Sequence, residues 1–248
     1  MNAPPVTTVK DWRATYDKSK GPLIDMSQAA PGYQPHPAII NSMMAALQDP
    51  ATLSYGPGRG DESFVEAYAH HSSSIYQSLV GKEDIQVTSG CNQAFGAVAL
   101  CIADHEAGDE IILTKPVYFN HATTLDMFGI TARYVDLDAS QGLIPDPEII
   151  KKAIGPRTKA IVLVNPNNPA GVVYPNDILE ALYDICQEAG VWLILDETYR
   201  EFLPMHYAIP HNLFQREDWR DTFISLYSFS KSFAIPGARL GAITCGPR

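Results

Sequence analysis

Between Ile85 and Thr244 the sequence alternates short apolar runs with longer amphipathic stretches, and this alternation constrains the fold more than any other feature. The runs Ile85–Thr88, Glu110–Thr114, Ala132–Leu137, Ala160–Val164, Val191–Leu195, Thr222–Leu226 and Leu240–Thr244 read as strands. The stretches Cys91–Ala103, Asn120–Phe128, Pro147–Ile154 and Asn176–Glu188 read as helices, the last with Ile178, Leu182, Ile185 and Ala189 on one stripe behind Pro175. A strand that is apolar at successive positions is buried on both faces, so helices must cover both sides of the sheet. The expectation is an α/β fold with a mostly parallel seven-stranded sheet sandwiched by helices.

The region before Ile85 is less regular. Residues Met1 to Ala30 read as an irregular arm, and Pro35 and Pro37 introduce a short helix from Ala38 to Gln48. Leu53 to Gly60 is a loop on its glycine and proline content. Its G-x-G-x-G is not a dinucleotide loop, because no buried strand precedes it and the G-x-x-G tail is absent. Asp61 then caps a helix whose apolar positions Phe64, Tyr68, His71, Ile75 and Leu79 keep helical spacing.

A formal net charge of −10 argues against a nucleic-acid surface and against anionic membranes, so any bound phosphate must be held by local donors. The four cysteines are widely spaced, which suggests neither a disulfide framework nor a zinc site, and no histidine falls in an H-E-x-x-H pattern. No metal is expected. Met1 to Lys10 lacks a signal-peptide core, and the longest apolar runs are too short to span a bilayer. A cytoplasmic setting is the expectation.

In an open α/β sheet ligands bind at the carboxyl ends of the strands, and several polar clusters fall there. Thr88 runs into Ser89-Gly90-Cys91-Asn92 at a helix start, which fits an anion site and an ordinary turn equally well. Val164 runs into Asn165-Pro166-Asn167-Asn168-Pro169, a rigid turn whose repeated amides point toward a binding role. Leu195 runs into Asp196-Glu197-Thr198-Tyr199; a carboxylate there is costly unless paired, by a protonated ring nitrogen or as a cap on the next segment. The last strands enclose Ser228-Phe229-Ser230-Lys231, with Arg239 eight positions on. A lysine in apolar surroundings loses the solvation of its charge and becomes an amine nucleophile able to form Schiff bases. The serines and Arg239 are phosphate donors.

Asn-Asn-Pro-x-Gly, Asp-Glu-x-Tyr and Ser-x-Ser-Lys, in this order and spacing, resemble the class I/II aminotransferases, the fold type I enzymes dependent on pyridoxal phosphate. The resemblance runs from about Asp25 to Arg248. It implies that Lys231 forms the Schiff base with the cofactor and later moves the substrate proton, and that Asp196 pairs with the pyridinium nitrogen. It implies that Asn168 and Tyr199 hydrogen-bond the phenolic oxygen, and that Tyr118 stacks on the ring. Gly90, Cys91 and Asn92 would cradle the phosphate together with Ser228, Ser230 and Arg239. Tyr55 would reach the phosphate of a neighbouring subunit, which implies a homodimer with shared sites. The implied activity is transfer of an amino group from an amino acid to a 2-oxo acid. A lyase on the same site, by β-elimination or at a carbon–sulfur bond, uses the same residues, and an effector-sensing regulatory module is the rival of another class.

The sequence departs from the family twice. Its N-terminal loop, Gln28-Ala29-Ala30-Pro31-Gly32-Tyr33, has alanine where the family often has glycine. The family's substrate-carboxylate arginine lies in a C-terminal segment beyond Arg248. Residues 1–48 are therefore expected to form an N-terminal arm and part of a small domain, residues 49–248 the large cofactor-binding domain, and the chain to lack the rest of the small domain. On that expectation Ile39, Ile40, Met43, Met44 and Leu47 face solvent.

Overall fold

The computed structural model describes residues 5–25 and 30–247. One seven-stranded sheet runs through it: β1 (Ile85–Thr88), β2 (Glu110–Lys115), β3 (Thr131–Asp136), β4 (Thr158–Val164), β5 (Trp192–Asp196), β6 (Phe223–Ser228) and β7 (Gly241–Thr244). Their order across the sheet is β1-β7-β6-β5-β4-β2-β3. All neighbouring pairs from β3 to β6 are parallel; β7 runs antiparallel to both β6 and β1. The expected sheet is therefore present, with one reversed strand that periodicity does not reveal. β1 has the expected ends, and each other strand shifts by one or two residues at one end or both, as in β4, which begins at Thr158 rather than Ala160.

The helices are α1 (Pro5–Ala14), α2 (Pro37–Gln48), α3 (Glu62–Tyr76), α4 (Cys91–Ile102), α5 (Phe119–Phe128), α6 (Pro147–Ala153) and α7 (Asn176–Ala189), followed by a one-turn α8 (Trp219–Thr222). Side chains alternate across each strand, so every central strand feeds two cores. Ile112, Leu163, Leu193 and Leu195 join Tyr68, Tyr76, Leu182 and Tyr183 on the face covered by α3 and α7. Ile111, Leu113, Val162 and Ile194 join Ala94, Phe95, Val98 and Leu125 on the face covered by α4 and α5. Full burial of such side chains contributes roughly 1.5–3 kcal/mol each, which makes this sandwich the main stabilising element.

Two sequence expectations are corrected. The arm is not irregular throughout, since Pro5–Ala14 is helical. Proline at its first position suits a helix start, and Val6, Val9 and Trp12 recur every three residues among polar neighbours. The α3 stripe also differs. Asp61 does cap the helix, its carboxylate accepting from the Phe64 amide at 3.2 Å. The buried residues, however, are Val65, Tyr68, Ala69, Ser72 and Tyr76, and Gln77 turns left-handed (φ 49°) and ends the helix before Leu79, which is exposed. On α2, Ile40, Met43, Met44 and Leu47 are exposed and Ile39 is half-buried. Gln28 and Ala29 of the N-terminal loop lie outside the described residues.

Candidate active site

The strand register sets the site. Val164 of β4 is level with Asp196 of β5, Asp196 with Leu226 of β6, and Ser228 at the end of β6 with Gly241 at the start of β7. Gly241 is also level with Thr88, the end of β1. The carboxyl ends of β1, β4, β5 and β6 therefore share one rim, and the reversal of β7 brings Arg239, just before it, to that rim too. A cavity of about 330 Å³ opens there, lined by Cys91, Asn92, Tyr118, Asn168, Asp196, Thr198, Tyr199, Ser228, Ser230, Lys231 and Arg239, among others.

Asp196 is buried at the cavity floor. Its Oδ2 lies 3.2 Å from His121 Nε2, and its Oδ1 accepts from the Thr198 amide at 3.0 Å and the Thr198 hydroxyl at 2.6 Å. An ionised carboxylate only accepts, so Nε2 is the protonated nitrogen of that imidazole. Burial pushes the Asp196 pKa up, but His121 and Thr198 outweigh it and hold the carboxyl below its ordinary value of 3.8. Opposite stands Lys231, whose pKa burial lowers from 10.5. Its backbone carbonyl accepts from the Tyr33 hydroxyl at 2.7 Å.

The walls follow from local chain geometry. Tyr118 hydrogen-bonds Asn120 Nδ2 at 2.7 Å through its hydroxyl, which burial and the Asp196 charge raise to a pKa of about 12. The Tyr199 phenol is raised too, by burial and then by Asp196. Burial, and then the Asp196 charge, also push the Cys91 thiol well up. Of the asparagine turn only Asn168 lines this cavity. Asn165 accepts from the Tyr174 amide at 2.8 Å, while Asn167 accepts from the Ala170 amide at 2.9 Å and donates to the Tyr174 hydroxyl at 2.8 Å. Repetition of asparagine thus marks bracing at two positions and a cavity wall at one.

The anion end is built by close approach. Gly90 enters α4 with φ 85°, and a Cβ on it would stand 2.4 Å from Arg239 Nη2. A Cβ on Gly241 would stand 2.7 Å from the Gly90 carbonyl carbon. Two bare glycines thus let a guanidinium, the start of α4 and the serine-bearing end of β6 converge. Free amides at a helix start, an arginine and two buried serines form a donor set for a phosphate. With a buried anion at the far end and a lysine amine whose pKa burial lowers on the same cavity, the residues present fit a phosphate-bearing pyridinium aldehyde. Of the residues expected from sequence, all but Gly90 and Tyr55 line the cavity; Gly90 packs against Arg239, and Tyr55 is fully exposed.

His121 and Thr198 were not legible as site residues. His121 is a lone histidine near the start of α5, far in sequence from the aspartate it holds, and its only sequence signal is its place just after the β2 end.

A family model described as aminotransferase class I and II matches residues 21–248. An aromatic aminotransferase of Arabidopsis thaliana is 30% identical over 228 residues, 91% of this chain and 55% of the relative. An aspartate/prephenate aminotransferase of Thermus thermophilus is 30% identical over 233 residues, 91% of this chain and 57% of the relative. Among solved structures, a double mutant of Thermus thermophilus aspartate aminotransferase superposes with a TM-score of 0.89 at 27% identity, covering all of this chain and 63% of the other. The chain thus spans a little over half the length of the curated relatives it matches.

Proposed function

The chain belongs to the class I and II aminotransferase family, and on that premise we propose that it carries the cofactor site of an aminotransferase that moves an amino group from an amino acid to a 2-oxo acid. The family uses pyridoxal phosphate. When bound, that group supplies an aldehyde that captures an amine and a ring that accepts the electron pair released at the substrate carbon. The observation that carries the reading is the pairing, in one cavity, of a buried ionised Asp196 with a Lys231 whose pKa is lowered.

The chain's own residues then have separable tasks. Asp196, held ionised by His121 and Thr198, is the counter-charge for a protonated ring nitrogen. Lys231 presents an amine that burial makes easier to deprotonate, first as nucleophile and then as the base that takes and returns a proton. Asn168 and Tyr199 offer a donor pair beside it for an oxygen substituent. Gly90, Cys91, Asn92, Ser228, Ser230 and Arg239 hold the phosphate, and Tyr118 walls the ring position. Tyr55, on an exposed loop, serves the site of a second copy in a homodimer. We further assign residues 49–248 as the large cofactor-binding domain and 1–48 as an arm and part of a small domain; among the described residues the two core clusters draw on none before Phe64. No described helix is long and apolar enough to cross a membrane.

Borohydride reduction of the chain loaded with pyridoxal phosphate, followed by peptide mapping, tests this reading. The label is expected on Lys231. Labelling of the exposed Lys115 or of Lys159 instead, or no label, overturns it. Sedimentation of the loaded protein at monomer mass would remove the Tyr55 assignment.

A further inference from the structure

Behind the cavity, on the α3 side of the sheet, a second polar cluster is buried. Arg200 follows the cavity residue Tyr199 and is only 4% exposed. A guanidinium in that position must be compensated on all sides. Its Nε donates to Glu201 Oε1 at 3.0 Å, and its Nη1 to the Tyr76 hydroxyl at 3.2 Å. Tyr76 in turn donates to the buried Glu197. Nη2 has no hydrogen-bond partner among the described residues. What it has instead is the face of Tyr227, whose ring centroid lies 3.8 Å from the guanidinium carbon.

Tyr227 connects this cluster to the reactive lysine. It lies in β6, and its hydroxyl pairs with Ser232 Oγ at 2.8 Å while also donating to Glu201 Oε1 at 3.2 Å. Ser232 is the residue after Lys231. On the other flank the Tyr33 hydroxyl holds the Lys231 carbonyl at 2.7 Å. The turn that carries Lys231 is therefore pinned by two phenols, and the ring of one is clamped by a buried charge.

We propose that Arg200 is a positioning residue for Lys231: the guanidinium fixes the Tyr227 ring, the Tyr227 hydroxyl fixes Ser232, and the turn so held aims the Lys231 amine into the cavity. This rests on Lys231 being the amine that links the cofactor. In that link the unprotonated nitrogen adds to the aldehyde carbon and the aldehyde oxygen leaves as water. The addition depends on aim as well as on protonation, and a misplacement near 1 Å costs up to about 100-fold in rate.

The test separates linking from binding. Pyridoxamine phosphate has the same ring and phosphate but no aldehyde, so it reports binding alone. Tyr227→Phe removes one hydroxyl and leaves the ring for Arg200; Arg200→Lys keeps a charge but loses the planar face. Both variants of this chain are expected to form the borohydride-trapped Lys231 label about 10- to 100-fold more slowly than wild type. Their pyridoxamine phosphate affinity is expected to stay within about twofold. An unchanged labelling rate overturns the proposal. So does a rate that falls only in step with affinity and melting temperature, because that is a plain structural role. Should Arg200→Lys fail to fold, Arg200→Gln, which keeps hydrogen-bond donors without the charge, takes its place, since Tyr227→Phe tests only the hydroxyl link to Ser232. Wild-type chain that never labels at Lys231 overturns the cofactor reading and this proposal with it, whereas normal wild-type labelling with unaffected variants overturns this proposal only.

Discussion

Burial alone would make Asp196 a weak acid, yet His121 and then Thr198 stabilise its charged form enough to hold it below 3.8. A carboxyl with a depressed folded-state pKa contributes stability that is present above the unfolded value and lost as pH falls through the folded one. His121→Phe keeps a ring to pack on Phe95, whose centroid lies 4.3 Å from that of His121, but removes the Nε2 proton. Without the His121 contributions the Asp196 pKa rises. The stability that the charged carboxyl contributes is then smaller in the variant above the raised pKa, and the difference from wild type closes as pH falls through it. Urea unfolding of both proteins between about pH 4 and 8 should show a stability gap that narrows on acidification. Pyridoxamine phosphate binding at neutral pH should weaken about tenfold, the worth of a hydrogen bond to a charged group. A gap that stays constant with pH would mean that His121 does not hold the charge. Lys231 titrates in the same sense, its pKa lowered by burial. Its labelling should therefore reach half its maximal rate at a lower pH than labelling of the exposed Lys82.

At the scale of elements, β7 joins sheet to site. Because it runs against its neighbours, the residues before it, not after it, reach the rim where β1, β4, β5 and β6 end. Gly90→Ala tests the closeness this creates. The added Cβ would displace the flexible tip of Arg239 rather than backbone, so the fold should survive. With φ 85° and ψ 165°, Gly90 occupies backbone space that is essentially glycine-only, so a side chain there adds about 1–3 kcal/mol of strain. Pyridoxamine phosphate affinity should drop about tenfold or more, since arginine's charge-assisted bonds are lost. Gly58→Ala, with nothing within 4 Å of its Cβ, should leave affinity unchanged and serves as control. Equal affinity in both variants would place the phosphate elsewhere. The same strand marks the limit of sequence reading. Burial on both faces writes β4, β5 and β6 plainly into the sequence, while the mostly exposed edge strand β3 was legible from its place in the alternation. Direction is not written there, because an apolar run is the same read against either neighbour. Lys231, Asp196, Asn168 and Arg239 were legible because each motif is local. His121 was not, since it sits on α5 while its partner ends β5, and α1 was not, since its few apolar residues are spaced out among polar ones.

At the scale of the whole molecule, burial is uneven. The sheet and its two cores are densely buried, while α2 contains no buried residue and Tyr55 stands fully in solvent. The cavity sits within the dense part, yet its anion end joins distant chain. Arg239 Nη2 approaches the Ser89 carbonyl at 3.5 Å across 150 positions of sequence. β1 lies at the sheet edge and pairs with β7 alone, so it has no ladder until β7 arrives. Contacts so far apart along the chain carry a large loop-closure cost and form slowly. A phosphate gripped by the start of α4 and by Arg239 rewards that same closure, so a bound ligand is also a latch on the sheet edge. Hydrogen exchange should register this as protection at the Gln86–Thr88 and Gly241–Thr244 amides that rises with pyridoxamine phosphate more than at the central β4 and β5 amides. Protection rising evenly across all strands would show the ligand stabilising the sheet as one block. With the uneven pattern, the edge of the sheet breathes in the apo protein, and cofactor loading and the last step of closure are a single event.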